Sequence, residues 1–183
     1  MIAVNVAVGP TIMLSSGAVF DFLDPWSSDF TIEDIAHGLS LICRYAGQCR
    51  AFYSVAEHSL HVSEVARGFE LPALMHDAAE AFVGDITRPL KQLVPEFKSI
   101  EAEVERAILA RFGMSERIPR QVKEADLRVL AAEQAQIMPP GTDSWARVEG
   151  VEPAPILVEH LAPPEARRRF LARFNQLRSA VGG

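Results

Sequence analysis

Only two cysteines occur in the chain, Cys43 and Cys49, and they form no CxxC pair. A fold of this length needs no disulfides, and both are read as reduced thiols of a cytoplasmic protein. No apolar run is long enough to span a bilayer, so no membrane association is expected. The apolar start, Met1 to Val8, lacks a positively charged flank, so no signal peptide is expected. An excess of positive charge is also missing: the net charge is −6, which argues against broad binding to nucleic acid or anionic lipid. There is no internal repeat and no linker-like stretch. What remains is 183 residues with 49% hydrophobic and 23% charged side chains, enough for one domain with a real core.

The pattern of that core is mostly helical. Thr11–Leu14 and Ala18–Phe22, joined by Ser15-Ser16-Gly17, predict a small hairpin within residues 1–30. Thr31 is a good N-cap for a helix carrying Ile32, Ile35, Leu39 and Ile42 inward. Ser54-Val55-Ala56-Glu57 reads as a capping box for a second helix running to about Gly68, and this box accounts for Glu57. Pro72 predicts a third helix to Gly84, with Leu71, Leu74, Met75, Ala78, Ala79 and Phe82 inward. A fourth starts at Pro95, with Ile100, Val104, Ile108 and Phe112 inward, and a fifth at Pro119, with Val122, Ala125, Val129 and Ala132 inward. The segment from Met138 to Pro155 reads as irregular, and Pro163-Pro164 opens a terminal helix over 163–181. Its arginines, Arg167, Arg168, Arg169, Arg173 and Arg178, read as a solvated face, with an oligomer contact as the alternative.

Polar residues that are costly to bury interrupt this apolar pattern. His58 lies at the start of the second helix; His76 and Asp77 lie mid-helix on the third, with Glu80 one turn on. Asp126 falls on the apolar face of the fifth, where an aspartate needs a cation or a hydrogen-bond network. Two helices joined by a short loop are antiparallel neighbours, so His58, His76 and Asp77 can share a metal. Imidazole and carboxylate suit Mn, Fe, Co, Ni or Zn better than Ca. Glu80, near such an ion without binding it, is placed to orient or deprotonate a water. The bland reading stands beside this one: a core histidine satisfied by hydrogen bonds, and an inner aspartate paired with an arginine. His61 is read as a helix-surface residue or one that supports a ligand, and His37 and His160 as exposed. Arg50, Arg88, Trp26 and Trp145 receive no firm role.

Several separated motifs then agree in order: Arg44, Val55-Ala56-Glu57-His58-Ser59-Leu60, His76-Asp77-Ala78-Ala79-Glu80-Ala81, Gly84-Asp85-Ile86, Pro89-Leu90-Lys91 and Lys123-Glu124-Ala125-Asp126. Across about residues 30–135 the chain resembles the HD-domain metal-dependent phosphohydrolases. The nearest resemblance is to their small bacterial and phage branch of 5'-deoxynucleotidases and dATP triphosphohydrolases. The resemblance implies a mostly α, single-domain HD helical bundle over 1–183. It implies one divalent metal ion (Mn, Co, Fe, Ni, Zn or Mg) held by His58, His76, Asp77 and Asp126. Glu80 and Asp85 would be catalytic, and Arg44, Tyr45 and Lys91 would contact substrate. Tyr45 stands where relatives often carry Trp, which leaves sugar selectivity open. The implied partner is a nucleotide, in a homo-oligomer of two or more copies, with no nucleic acid or membrane. The activity expected is hydrolysis of deoxynucleoside mono- or triphosphates. The alternatives are a phosphodiesterase for a cyclic or signalling nucleotide and a non-catalytic nucleotide-binding module.

Overall fold

Alternation of apolar residues on either side of Gly17 builds the first element among the described residues. The computed structural model describes residues 9–181, and the Met1–Val8 stretch lies outside them. Strands β1 (Thr11–Met13) and β2 (Val19–Asp21) pair antiparallel, with Ile12 opposite Phe20. Phe20 is fully buried and stacks on Phe82 at 4.2 Å between ring centroids, which docks the hairpin on the helical body. Asp34 holds the hairpin from the other side: its carboxylate accepts from the Ser16 backbone N–H and the Ser15 hydroxyl.

The described residues are mostly helical. Helix α1 (Ile32–Leu41) starts with a reciprocal box in which Thr31 caps the Asp34 N–H and the Asp34 carboxylate accepts from the Thr31 N–H. Helix α2 (Val55–Val65) is capped by the Ser54 hydroxyl, which accepts from the Glu57 N–H. Here the expected box is only half made. The Glu57 side chain leaves the helix end and accepts from the backbone N–H groups of Glu159, His160 and Leu161.

The helix expected from Pro72 to Gly84 is two short ones, α3 (Glu70–Leu74) and α4 (Glu80–Val83), with a hydrogen-bonded turn between. The cause is local. The Ala73 carbonyl, which would serve the N–H four residues on, accepts instead from the His76 ring at 2.7 Å. Bonds of three-residue span follow: Ala78 to Met75, Glu80 to Asp77, Ala81 to Ala78. The apolar positions still face inward as expected, since Leu71, Leu74, Met75, Ala78, Ala79 and Phe82 are all buried.

Helix α5 (Arg88–Lys91), which the sequence pattern does not announce, leads into α6 (Pro95–Arg111) and α7 (Arg120–Ile137). Ile100 is an exception on α6: it is 43% exposed rather than inward. Within the stretch read as irregular lies α8 (Ser144–Val148), before the long α9 (Pro163–Val181). The main core gathers the hairpin, α1–α4, α6 and α9 around Ile35, Leu39, Leu74, Ile108 and Phe170. A smaller one, with Val62, Ala73, Val122 and Val129, seals α2 and α3 onto α7. At the α1–α4 contact a Cβ on Gly38 would meet the Ala81 carbonyl at 2.8 Å. No helix among the described residues is long and apolar enough to cross a membrane.

Candidate metal centre

The seam between α2, the α3–α4 turn and α7 gathers the residues singled out from sequence. His58 comes from the first turn of α2, His76 and Asp77 from the turn, and Asp126 from the second turn of α7. The Nε2 atoms of His58 and His76 and an Asp126 oxygen all lie within 4.8 Å of one another. His58 Nε2 stands 3.1 Å from Asp126 Oδ1, and His76 Nε2 stands 3.9 Å from it. Asp77 Oδ2 lies 3.5 Å from the first ring nitrogen and 3.3 Å from the second.

Chemistry fixes which ring nitrogen faces the cluster. A carbonyl only accepts, so His76 Nδ1 carries the proton donated to Ala73 O. His58 Nδ1 lies 2.6 Å from Glu133 Oε1 and donates to it. The Glu133 carboxyl is held down to about 2: burial opposes this, but Arg44, His58 and Tyr53 outweigh burial. Both Nε2 atoms are thus directed inward; they are buried, make no hydrogen bond among the described residues, and are the positions at which a proton or a metal ion binds. This is the arrangement in which a supporting acceptor orients an imidazole toward an ion. Ligand bonds of about 2.0–2.2 Å would put neighbouring donors about 3 Å apart and opposite ones about 4 Å apart in an octahedron. The four histidine–aspartate separations fall in that range, and His58, His76 and Asp126 form a cluster that could hold a divalent metal, with the expected fourth ligand, Asp77, beside these three rather than among them.

The electrostatics ask for a cation at the same point. Burial and the Arg44 charge disfavour a proton on His58, yet Glu133 and Asp126 raise its pKa to about 10. Asp126, despite burial that would raise it, is held well below the usual carboxylate range by His58, His76 and Arg44.

Glu133 is the residue that sequence reasoning missed. It is fully buried, and besides His58 it accepts from the Tyr53 hydroxyl at 2.6 Å and the Tyr45 hydroxyl at 2.8 Å. Arg44 Nη2 lies 3.4 Å from it, and Arg44 Nη1 lies 3.6 Å from Asp77. One signal was available: Glu133 follows Asp126 by seven residues, two turns along the inner face of α7. Tyr45 and Ala46 both have positive φ, 57° and 50°, a left-handed kink that is strained for non-glycine residues. The Tyr45–Glu133 bond holds that kink in place.

The centre opens on a cleft of about 460 Å³. Arg44, Tyr45, Asp77, Glu80, Asp85, Lys91 and Asp126 all line it, so every expected catalytic and substrate-contact residue shares one cavity. Glu80 is buried, with one carboxylate oxygen lacking a partner. Burial first, then the Asp77 and Asp85 charges, pushes its carboxyl well above the usual range. Asp85 is raised too, by burial with Asp77 adding. Lys91 lies 2.6 Å from Glu101 and 3.7 Å from Glu80. His61 is buried, 3.7 Å from Glu57, and away from the donor cluster. His37 is half-buried rather than exposed, and His160 is exposed as expected.

Comparison with known proteins gives relatives without a described activity. No family model matches the chain. The uncharacterized protein YfdR of Escherichia coli (strain K12) is 40% identical over 151 residues, covering 81% of this chain and 85% of that protein. The uncharacterized protein RCAP_rcc00048 of Rhodobacter capsulatus is 36% identical over 188 residues, covering 92% and 95%. At these identities and coverages, the chain belongs to the same family as YfdR and RCAP_rcc00048.

Proposed function

We propose that this protein is a metal-dependent phosphohydrolase of the HD-domain type, acting on deoxynucleoside mono- or triphosphates. The observation that carries this reading is the pair of buried, oriented Nε2 atoms of His58 and His76 meeting Asp126, which itself lines a cleft with Arg44, Lys91 and Glu80. His58, His76, Asp77 and Asp126 would hold the ion. Bound there, a divalent metal lowers the pKa of a coordinated water and neutralises charge on a phosphoryl group.

The cleft's own charges agree with that need. Asp77, Glu80, Asp85 and Asp126 face Arg44, Arg88 and Lys91, so four carboxylates oppose three basic side chains. A phosphate enters favourably only once a cation offsets the carboxylates. Arg44 offers a planar fork and Lys91 a point charge to phosphate oxygens. Glu80, with its raised proton affinity, is suited to take a proton from the attacking water near neutral pH. We also read the protein as cytoplasmic, on its two free thiols.

The test is product release from deoxy- and ribonucleoside mono-, di- and triphosphates by metal-stripped protein, with Mn, Co, Mg or Zn added back. Turnover that appears only with metal is expected. Asp77→Ala should lose metal and turnover together; Glu80→Gln should keep the metal and lose turnover by about 100-fold or more. Metal-independent hydrolysis, a preference for cyclic nucleotides, or near-normal rates in Glu80→Gln would each overturn the corresponding part of this reading.

A further inference from the structure

Gln134 lines the same cleft, and its amide orientation is settled by chemistry. Trp145 on α8 donates its indole N–H to Gln134 Oε1 at 2.6 Å. An indole only donates, so the atom facing it is the amide oxygen. The hydrogen bond of the Gln134 side chain among the described residues is the one it accepts from Trp145, so the two donor hydrogens on Nε2 remain for the cleft, on a half-buried side chain that water can reach.

Its position relative to the metal centre sets what those donors meet. Asp126, Leu130 and Gln134 follow one another at four-residue spacing on a single face of α7, and all three line the cleft. Eight residues of helix rise about 12 Å, with Leu130 at about 6 Å. A nucleotide whose phosphate sits at the Asp126 end would carry its sugar past Leu130 and its base to Gln134. Tyr45, pinned by Glu133, lines the same cleft.

We propose that Gln134 reads the nucleobase: its Nε2 donates to an acceptor on the base edge, a carbonyl oxygen or ring nitrogen, and Trp145 holds the amide in that orientation. Gln134 is a specificity residue and Trp145 a positioning residue that acts through it. The inference rests on reading the cleft as a nucleotide site.

Gln134→Glu is the informative variant. Its carboxylate still accepts from Trp145 but presents an acceptor to the base where the amide presented a donor. Binding is measured by calorimetry on metal-loaded protein carrying Glu80→Gln to stop turnover. The probes are the four deoxynucleoside 5'-monophosphates and deoxyribose 5-phosphate. Gln134→Glu should weaken the best-bound nucleotide about tenfold and move preference toward bases offering an amino group. Deoxyribose 5-phosphate should lose far less, so the ratio between the two is the readout. Gln134→Ala should weaken nucleotides without that move in preference. Trp145→Phe, which lets the amide turn over, should blunt discrimination among bases. An equal loss for the sugar phosphate, or an unaltered ranking of bases in Gln134→Glu, overturns the inference while nucleotide turnover by the wild type leaves the proposed function standing. If the metal binds and no nucleotide does, both fall.

Discussion

Glu57 and Glu133 are both sealed from solvent, and they serve opposite kinds of partner. Glu57 accepts from three consecutive backbone N–H groups, at residues 159, 160 and 161. Glu133 accepts from side chains: two tyrosine hydroxyls and the His58 ring, with the Arg44 guanidinium alongside. The first ties the chain entering α9 to the body of the fold. The second positions groups that meet at the candidate metal centre. Glu57 and His58 are neighbours on α2, and consecutive helical side chains diverge by about 100°. One helix therefore carries a structural staple at one position and a candidate metal ligand at the next. A buried carboxylate is thus no sign of function by itself; what it accepts from tells the two apart.

The largest effect that sharpens this contrast belongs to Glu133→Gln. An amide cannot accept from His58, Tyr53, Tyr45 and Arg44 without turning a donor on one of them. Metal affinity should fall about 10–100-fold, read by competition with a fluorescent chelator. Unfolding stability should drop by about 1–3 kcal/mol as well. A Glu133→Gln protein with wild-type metal affinity would erase the distinction. Next comes Glu57→Gln, which should cost a comparable 1–3 kcal/mol in urea unfolding, yet take up metal as the wild type does. Hydrogen exchange should rise at residues 159–161 and not at the metal centre. Uniform exchange increases across both regions would show that the two carboxylates are not separable.

The smallest effect concerns Asp34, a third buried carboxylate, whose partners are mixed: the Ser16 and Thr31 N–H groups and two hydroxyls. Burial alone would raise its carboxyl, but these bonds hold it below the ordinary value. The sign follows from that lowering. The ionised form stabilises the fold above the unfolded value near about 3.9, and that stabilisation is lost as pH falls through the lower folded value. Asp34→Asn should cost about 1 kcal/mol at neutral pH, with the gap to wild type closing in acid. A gap that widens in acid would contradict the assigned bonds.

Local signals made much of the fold legible. Caps at Thr31 and Ser54, prolines at 95, 119 and 163, and helical spacing of Ile35, Leu39, Val104, Ile108, Val122 and Val129 mark α1, α2, α6, α7 and α9. The cluster of His58, His76 and Asp126 was legible for a related reason: these are polar residues within apolar, helix-patterned sequence. The break at 75–79 was hidden, because a side-chain bond to the Ala73 carbonyl decides it and apolar spacing does not. Helices α5 and α8 are too short to nucleate alone, so packing sets them and no periodicity reports them. Glu133 was missed since His58, Tyr53 and Tyr45 lie 75, 80 and 88 residues away along the chain.

Gly38 links the back of the molecule to its chemistry. A side chain there would strike the Ala81 carbonyl, next in sequence to Glu80. Helix α1 is therefore a gauge block: its bare backbone sets how far α4 can retreat from the cleft. Gly38→Ala would press on the α4 backbone beside Glu80 without substituting any residue that lines the cleft. Reach of the Glu80 carboxylate is a tolerance set on the far side of the helix that carries it.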